Sequence, residues 1–301
     1  MNNYDYLRKN ITNEEYVPLI ISFNDIFVSI AILLLLTSLG LLGFTINKFL
    51  SPIFIAPAAW LLAEVFTRKK RMALPSVLLS LAFSGGIFFS IIITSLFDND
   101  VKIDWTKTGI LVYAVGAFIS SVASYFYWKR FYVPITIAIV CLFLVLGVFW
   151  LLIYLFPSMV DFANVFLFIA GLLVLYLAIT WDRSDPARVT SKSEIAFWLH
   201  LMAASAITHP FFKLFSNDTL SCIVTLLSFF VLIIIALILD RRALIVSSLI
   251  YSLWALYMLV NDINTNLRLA LTFLFMGISI LLLSVFWHQL RNYIMTLIKS
   301  I

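Results

Sequence analysis

Apolar side chains run along this chain in long blocks that short polar connections separate. Each block holds about 20 residues, the length of an α-helix that crosses about 30 Å of hydrocarbon. Strands of a transmembrane barrel would instead alternate apolar and polar positions over about ten residues. The pattern therefore predicts an all-α integral membrane protein, a bundle of about ten transmembrane helices. The predicted spans are residues 24–46, 49–66, 73–97, 108–127, 132–156, 161–181, 194–213, 219–239, 242–260 and 267–288.

The distribution of Lys and Arg over the connections predicts the orientation of the bundle. Of the 20 basic residues, fifteen fall on one side of the predicted membrane and five on the other. Cytoplasmic connections carry the positive excess, so both termini are predicted to be cytoplasmic. We expect a short cytoplasmic segment over 1–22, a single transmembrane domain over 23–288 and a cytoplasmic tail over 289–301.

The composition strengthens the membrane assignment and limits the partners. The 301 residues are 63% hydrophobic and 12% charged, whereas soluble proteins are typically about 45–50% apolar and about 25% charged. The surplus apolar surface must face lipid. Topology and anionic lipid account for the net charge of +5, so a nucleic-acid partner is not needed. Membrane lipids, other membrane proteins or a small solute are the expected partners.

Two segments indicate an internal repeat. FNDIFVSIAILLLL at 23–36 aligns without gaps with FANVFLFIAGLLVL at 162–175, and seven of the fourteen positions are identical. Two halves of five spans each would have inverted topology, a common arrangement in transporters. A five-plus-five inverted repeat is therefore a hypothesis for this chain.

His200 and Glu64 are the candidate groups for substrate binding or proton coupling. His200 lies at hydrocarbon depth in the seventh predicted span, among Ala196, Ala203 and Ala204 at helical spacing. It could form a hydrogen bond to a neighbouring helix, or it could serve a proton relay or a substrate. Glu64 precedes Arg68 by four residues, so it could form an interfacial ion pair or act as a coupling carboxylate.

Residues that break or narrow helices are candidates for shaping a solute path. Pro57 interrupts the second span, Gly85 and Gly86 lie at mid-depth in the third, and Pro210 ends the histidine-containing part of the seventh. Broken helices often mark the binding sites of transporters, although single kinks are also common in membrane helices.

Two polar motifs predict local capping. Asp25 lies in the opening turn of the first span, where a cap or a partner for the helix dipole is expected. Ser191 and Glu194 have the spacing of a capping box at the start of the seventh span.

The chain has few features of a metal or catalytic site. His200 and His209 lie nine residues apart, which places them about 180° apart on one helix, so they cannot share a metal ion. The sequence contains no phosphate-binding loop, dinucleotide-binding motif, nucleophile elbow or zinc motif. We therefore expect no metal and no cofactor, and an enzymatic role is open but disfavoured.

Several phrases occur together in a familiar way: AWLLAEVFTRKKRMALPS at 59–76, WKRFYVPITIA at 128–138, DRSDPARVTSKSEIAFWLHLMAA at 182–204 and DRRALIVSSLIY at 240–251. They resemble a family of bacterial multi-pass inner-membrane proteins of the domain-of-unknown-function kind. The resemblance implies a location in the bacterial inner (plasma) membrane and no particular activity. In layout only, the predicted spans and cytoplasmic termini are similar to those of the drug/metabolite transporter superfamily.

The sequence leaves three functional hypotheses. Transport of a small molecule is the first, because the chain is almost wholly embedded and carries a few intramembrane polar groups and broken helices. A structural or scaffold subunit that binds other membrane proteins or lipids is the alternative. A membrane-embedded enzyme that modifies lipids is the least favoured, because the ionisable groups are scattered.

Overall fold

The computed structural model describes residues 19, 22–47, 49–96, 106–185, 189–213, 219–239, 249, 252–253, 255–258 and 265–299. Every regular element with defined bounds in this part of the chain is helical. A π-helix (Glu64–Lys69) directly follows the α-helix Leu50–Ala63, and a 3-10 helix (Pro157–Val160) follows the α-helix Ile135–Leu155. The α-helices are α1 (Asn24–Ile46), α2 (Leu50–Ala63), α3 (Ala73–Leu96), α4 (Lys107–Phe131), α5 (Ile135–Leu155), α6 (Ala163–Arg183), α7 (Ser191–Lys213), α8 (Thr219–Leu239) and α9 (Thr265–Lys299).

Seven helices in the described residues are long and apolar enough to cross a membrane. They are α1, α2 together with the π-helix, α3, α4, α5, α6 and α9. All seven lie where the sequence predicts a span. The chain is therefore a helical membrane protein, as the apolar blocks predicted.

The remaining predicted spans differ in how far the structure tests them. Helix α7 occupies the seventh predicted span, and its last residues are not among those whose side chains the structure describes. Helix α8 occupies the eighth span. Most of the ninth span, 242–260, lies outside the described residues, so the total of ten stays a prediction. The last helix, α9, extends through Lys299 and so includes most of the residues that we expected to form a tail.

The contacts within the chain define two compact units. The first unit comprises Met1–Ala163 and Tyr176–Leu199, and the second comprises Asn164–Leu175 and His200–Ile301. In the second unit, a small core of Phe229, Ala236, Leu237, Met276 and Trp287 joins α8 to α9. The sequence was interpreted as one transmembrane domain, and it carries no composition change that would mark these two units.

Small and hydroxyl-bearing residues hold the helices of the first unit close together. Ser84 of α3 and Ser124 of α4 share a hydrogen bond of 2.8 Å between their hydroxyl oxygens. Ser76 and Ser80 on α3 and Ser120 on α4 continue these buried rows at intervals of four residues. In a membrane, helices associate through such close packing and hydrogen bonding, because lipid provides no hydrophobic drive between them.

Aromatic rings form the centre of the first unit. Trp60 lies 5.1 Å from Phe131, 5.3 Å from Phe83 and 5.8 Å from Tyr127, measured between ring centroids. The Tyr127 hydroxyl is buried beside Thr67 of the π-helix. Neither hydroxyl has a hydrogen-bond partner within 3.5 Å in the described part of the chain. The rings therefore join α2, α3 and α4 into one core.

Polar contacts bring several helix ends to one end of the first unit. The Asp25 carboxylate of α1 accepts hydrogen bonds from the backbone of Ala73 and Leu74 at the start of α3. Glu64 in the π-helix pairs with Arg130 at the end of α4. We call this region, with residues 68–71, Lys129 and Arg130, the basic end. It gathers residues that the charge distribution assigned to a single side of the membrane.

Candidate functional site

Glu64 is held by two arginines at the basic end. Its Oε1 accepts a hydrogen bond of 2.8 Å from Arg130 Nε, and its Oε2 accepts one of 3.2 Å from Arg68 Nη1. These contacts correspond to the interfacial ion pair that the four-residue spacing allowed, with a further bond to α4. Glu64 lines neither of the two cavities described below. Its coupling role stays a prediction without support from these contacts.

His200 lies on the buried side of α7. The side chains of His200, Ala196, Ala203 and Ala204 are all buried, whereas His209 on the same helix is exposed. The alanine face around His200 is therefore an internal face, as its spacing predicted. His200 lines neither of these two cavities. Its part in proton transfer or substrate binding stays a prediction.

The two mid-depth glycines line a cavity of about 630 Å³ between α1, α2 and α3. A Cβ atom at Gly86 would lie 3.1 Å from both Cβ and N of Ala56, so this glycine allows α2 and α3 to approach closely. A Cβ atom at Gly85 would meet nothing within 4 Å. The walls are almost entirely aliphatic and aromatic. Pro57 is exposed on α2 and Pro210 is buried in α7, and neither lines this cavity.

A second cavity in the first unit carries the ionisable groups. It has a volume of about 670 Å³ and lies where α1, α3 and α7 begin, next to the turn before α5. We call it the Glu194 cavity. Its lining residues are Leu19, Ser22, Phe23, Asp25, Ile26, Ala73, Leu74, Val77, Pro134, Glu194 and Trp198. A largely apolar cavity of this size with a few convergent polar groups has the features of a small-molecule site.

Asp25 is fully engaged at the wall of the Glu194 cavity. Its side chain is 2% exposed, and its Oδ2 accepts hydrogen bonds from the N–H groups of Ala73 at 3.0 Å and Leu74 at 3.3 Å. Its Oδ1 accepts one from the Ser22 hydroxyl. Asp25 therefore caps α3, where it satisfies two N–H groups that lack partners within that helix. The sequence predicted a cap or a dipole partner in the opening turn of α1, where Asp25 does lie; the cap on α3 is a further role that the sequence did not indicate.

Glu194 differs because its carboxylate is unpaired. Within the part of the chain that the structure describes, it has no hydrogen bond and no ion pair. It is half-buried in the first turn of α7, at the start of the seventh predicted span. Trp198 follows four residues later on the same helix face and also lines the cavity.

The predicted capping box at Ser191 and Glu194 is not formed. Thr190 caps α7 instead, because its Oγ1 accepts a hydrogen bond of 3.3 Å from the Lys192 N–H. Asp185 holds Thr190 in place by accepting from its N–H at 2.9 Å and its hydroxyl at 2.7 Å. The helix therefore begins with a different cap from the one predicted. This arrangement leaves the Glu194 side chain available to the cavity.

The Glu194 cavity can bind a proton or a positively charged group. The charge of Asp25 is offset by three donors, two of which belong to a helix N-terminus. The charge of Glu194 has no such compensation. Partial burial of an unpaired charge costs free energy, and a bound cation or a proton would offset that cost. Among the described residues, no three His, Cys, Asp or Glu side chains are close enough together to hold a metal ion.

Sequence reasoning missed Glu194 as a site residue because its spacing from Ser191 matched a local motif. The signal that could have indicated it was the pair of Glu194 and Trp198, four residues apart at the entry of an apolar segment. Asp25 was recognised as a possible cap. Its hydrogen bonds join it to Ala73 and Leu74, 48 and 49 residues away along the chain, and local spacing does not indicate such contacts.

Comparison with protein-family models, with curated proteins and with solved structures found no match to this chain. The function must therefore be argued from the site itself.

Proposed function

We propose that the protein is a transporter of a small solute and that the Glu194 cavity is its binding site. The observation that carries this proposal is an unpaired, half-buried carboxylate in a largely apolar cavity at the helix ends of a membrane bundle. An ionisable group held in such surroundings commonly binds a substrate or a coupling ion.

The proposed setting is the bacterial inner membrane, with ten spans and both termini in the cytoplasm. This setting follows from the resemblance to bacterial multi-pass inner-membrane proteins and from the excess of Lys and Arg on one side. In this orientation the Glu194 cavity opens towards the cytoplasm. The proposed five-plus-five repeat relates α1 to α6, and both helices begin one residue after the aligned Phe23 and Phe162.

A structural or lipid-binding subunit is the second candidate function. The observation that favours it is the basic end, where Arg68, Lys69, Lys70, Lys129 and Arg130 are all exposed. Such a cluster next to transmembrane helices attracts anionic lipid head groups. A binding role of this kind would not require the unpaired carboxylate of Glu194.

Reconstitution into liposomes tests the transport proposal. Tetraethylammonium, glucose, lactate and glutamine would be applied in turn, and transport currents would be recorded on a solid-supported membrane. We expect at least one solute to produce a current that falls about tenfold or more in Glu194→Gln, because the variant removes the unpaired charge. Asp161→Asn removes an exposed carboxylate between α5 and α6 and should retain the current.

Two results would contradict the proposal. A current of equal size in Glu194→Gln and the unchanged protein would show that transport does not use this cavity. No current with any of the four solutes, from protein that remains folded and monodisperse, would favour the lipid-binding subunit.

A further inference from the structure

We infer that the Glu194 cavity selects amphipathic organic cations that carry a single positive charge. The inference rests on the proposed function only in taking this cavity to be the substrate site, and its argument uses the charges and walls of the cavity.

The charge balance of the cavity favours one positive charge. Among the residues that the structure describes, two carboxylates line it and no Lys or Arg side chain does. The two backbone N–H groups and the Ser22 hydroxyl already satisfy Asp25. Lys192 lies two residues before Glu194, and positions two apart on a helix do not face each other. The Glu194 carboxylate is therefore the one lining charge without a described partner.

The cavity walls favour a cation with a large apolar body. Eight of the eleven lining residues are apolar, among them the aromatic residues Phe23 and Trp198. Aromatic faces attract a desolvated cation through their quadrupoles, and Trp does so most strongly. The volume of about 670 Å³ falls within the range of sites for drug-sized ligands. An inorganic cation would lack ligands, because hard divalent ions require about six or more oxygen atoms.

Anions and zwitterions fit this cavity poorly. The N-terminus of α3 could have bound an anionic group through its exposed N–H groups. Asp25 occupies that position and accepts from both Ala73 and Leu74. The carboxylate of an amino acid would therefore find no donor at this helix end and would be repelled by Glu194. The cavity therefore disfavours negatively charged ligands, because Asp25 occupies the N–H groups that an anion would need.

A pair of ions of similar size and opposite charge tests the inference. Tetraphenylphosphonium and tetraphenylborate would be titrated separately into the purified full-length protein in detergent, with binding measured by isothermal titration calorimetry. We expect saturable binding of one tetraphenylphosphonium and no saturable binding of tetraphenylborate. The affinity for the cation should fall about tenfold or more in Glu194→Gln, because the variant keeps the shape of the side chain and removes its charge.

Two further variants separate a specific loss from misfolding. Glu194→Asp keeps the charge and should retain most of the affinity for tetraphenylphosphonium. Asp161→Asn removes one exposed carboxylate elsewhere and should bind like the unchanged protein. All variants should elute from size-exclusion chromatography at the volume of the unchanged protein.

The pH dependence provides an independent readout. Binding of the cation should weaken as the pH falls, because protonation of the Glu194 carboxylate removes the negative charge that attracts the cation. Glu194→Gln should lose this dependence. Among the described residues, Asp25 is the other titratable side chain that lines the cavity, and those of α3 and of the turn before α5 contribute none.

Equal binding of tetraphenylphosphonium by Glu194→Gln, or equal binding of both ions by the unchanged protein, would overturn the inference. These failures differ from a failure of the proposed function. If the cation binds at Glu194 but no solute is transported, the site remains and the transporter proposal fails. If glucose or lactate is transported through Glu194 without cation binding, the transporter proposal remains and the substrate class is wrong.

Discussion

Asp25 and Glu194 line the same cavity but have different partners. Asp25 accepts three hydrogen bonds and connects the start of α1 to the start of α3. Glu194 accepts none within the described residues. A carboxylate with satisfied oxygens contributes to stability, whereas an unpaired one in apolar surroundings is costly and calls for a ligand or a proton. The two side chains therefore divide structural and binding roles between them.

Substitution of Asp25 should destabilise the protein through α3. Asp25→Ala removes a cap and a favourable charge at the helix N-terminus, and we expect a loss of about 1–2 kcal/mol in the free energy of unfolding. Asp25→Asn keeps an oxygen acceptor and should lose less. Thermal unfolding in detergent, followed by circular dichroism, measures the difference.

Ser22→Ala is the control for this prediction, because it removes one hydrogen bond to Asp25 and leaves both bonds to the α3 backbone intact. Its effect should be smaller than that of Asp25→Ala. Unfolding of Asp25→Ala at the same temperature as the unchanged protein would contradict the capping role.

At the level of elements, the helices of the first unit pack through small residues. Gly86 lets the backbone of α2 approach α3, and buried serine rows lie between α3 and α4. Gly85, the neighbouring position on α3, faces open space in the cavity of about 630 Å³ between α1, α2 and α3. Adjacent glycines on one helix therefore have different roles, one in close packing and the other in leaving a cavity.

Alanine substitution should distinguish the two glycines. Gly86→Ala places a methyl group 3.1 Å from Ala56, and forcing α2 and α3 apart should cost about 1–3 kcal/mol of unfolding free energy. Gly85→Ala adds a methyl group to open space and should be neutral, or stabilising by up to about 1 kcal/mol through helix propensity. Thermal unfolding of both variants in the same detergent is the measurement. Equal stability of the two variants would show that the close approach at Gly86 does not matter.

At the level of the whole molecule, the basic end concentrates exposed positive charge at one end of the first unit. Asp25 with Ala73 and Glu64 with Arg130 bring the ends of four helical segments together. Residues 68–71, Lys129 and Arg130 of the basic end belong to the positive excess from which the orientation was predicted. The contacts support the grouping of these helix ends, and the direction of the bundle in the cell stays a prediction.

Cysteine labelling tests that direction. In a background with Cys141 and Cys222 replaced by Ala, Lys69→Cys should react with a membrane-impermeant maleimide only after the cells are opened. Asp161→Cys, between α5 and α6, should react in intact cells. Both positions are exposed, so accessibility on the protein itself is matched. The opposite labelling pattern would place the basic end outside the cytoplasm.

The apolar blocks alone determined the helical membrane fold and the positions of all seven helices that qualify as spans. This works because lipid cannot satisfy backbone hydrogen bonds, so a long apolar segment in a membrane must become a helix. Local spacing also predicted the buried face of α7 around His200. The start of α7 was placed to within a few residues, although its cap proved to be Thr190.

Only the tertiary structure decided which polar groups meet. It paired Glu64 with Arg130, 66 residues away, as well as with the local Arg68. It also made Asp25, which lies in the first turn of α1, a cap of α3. It left Glu194 without a partner among the described residues, in the lining of a cavity between α1, α3 and α7. Helical periodicity specifies which face a side chain occupies, but the partner depends on how distant segments pack. For that reason the candidate site moved from His200 and Glu64 to Glu194.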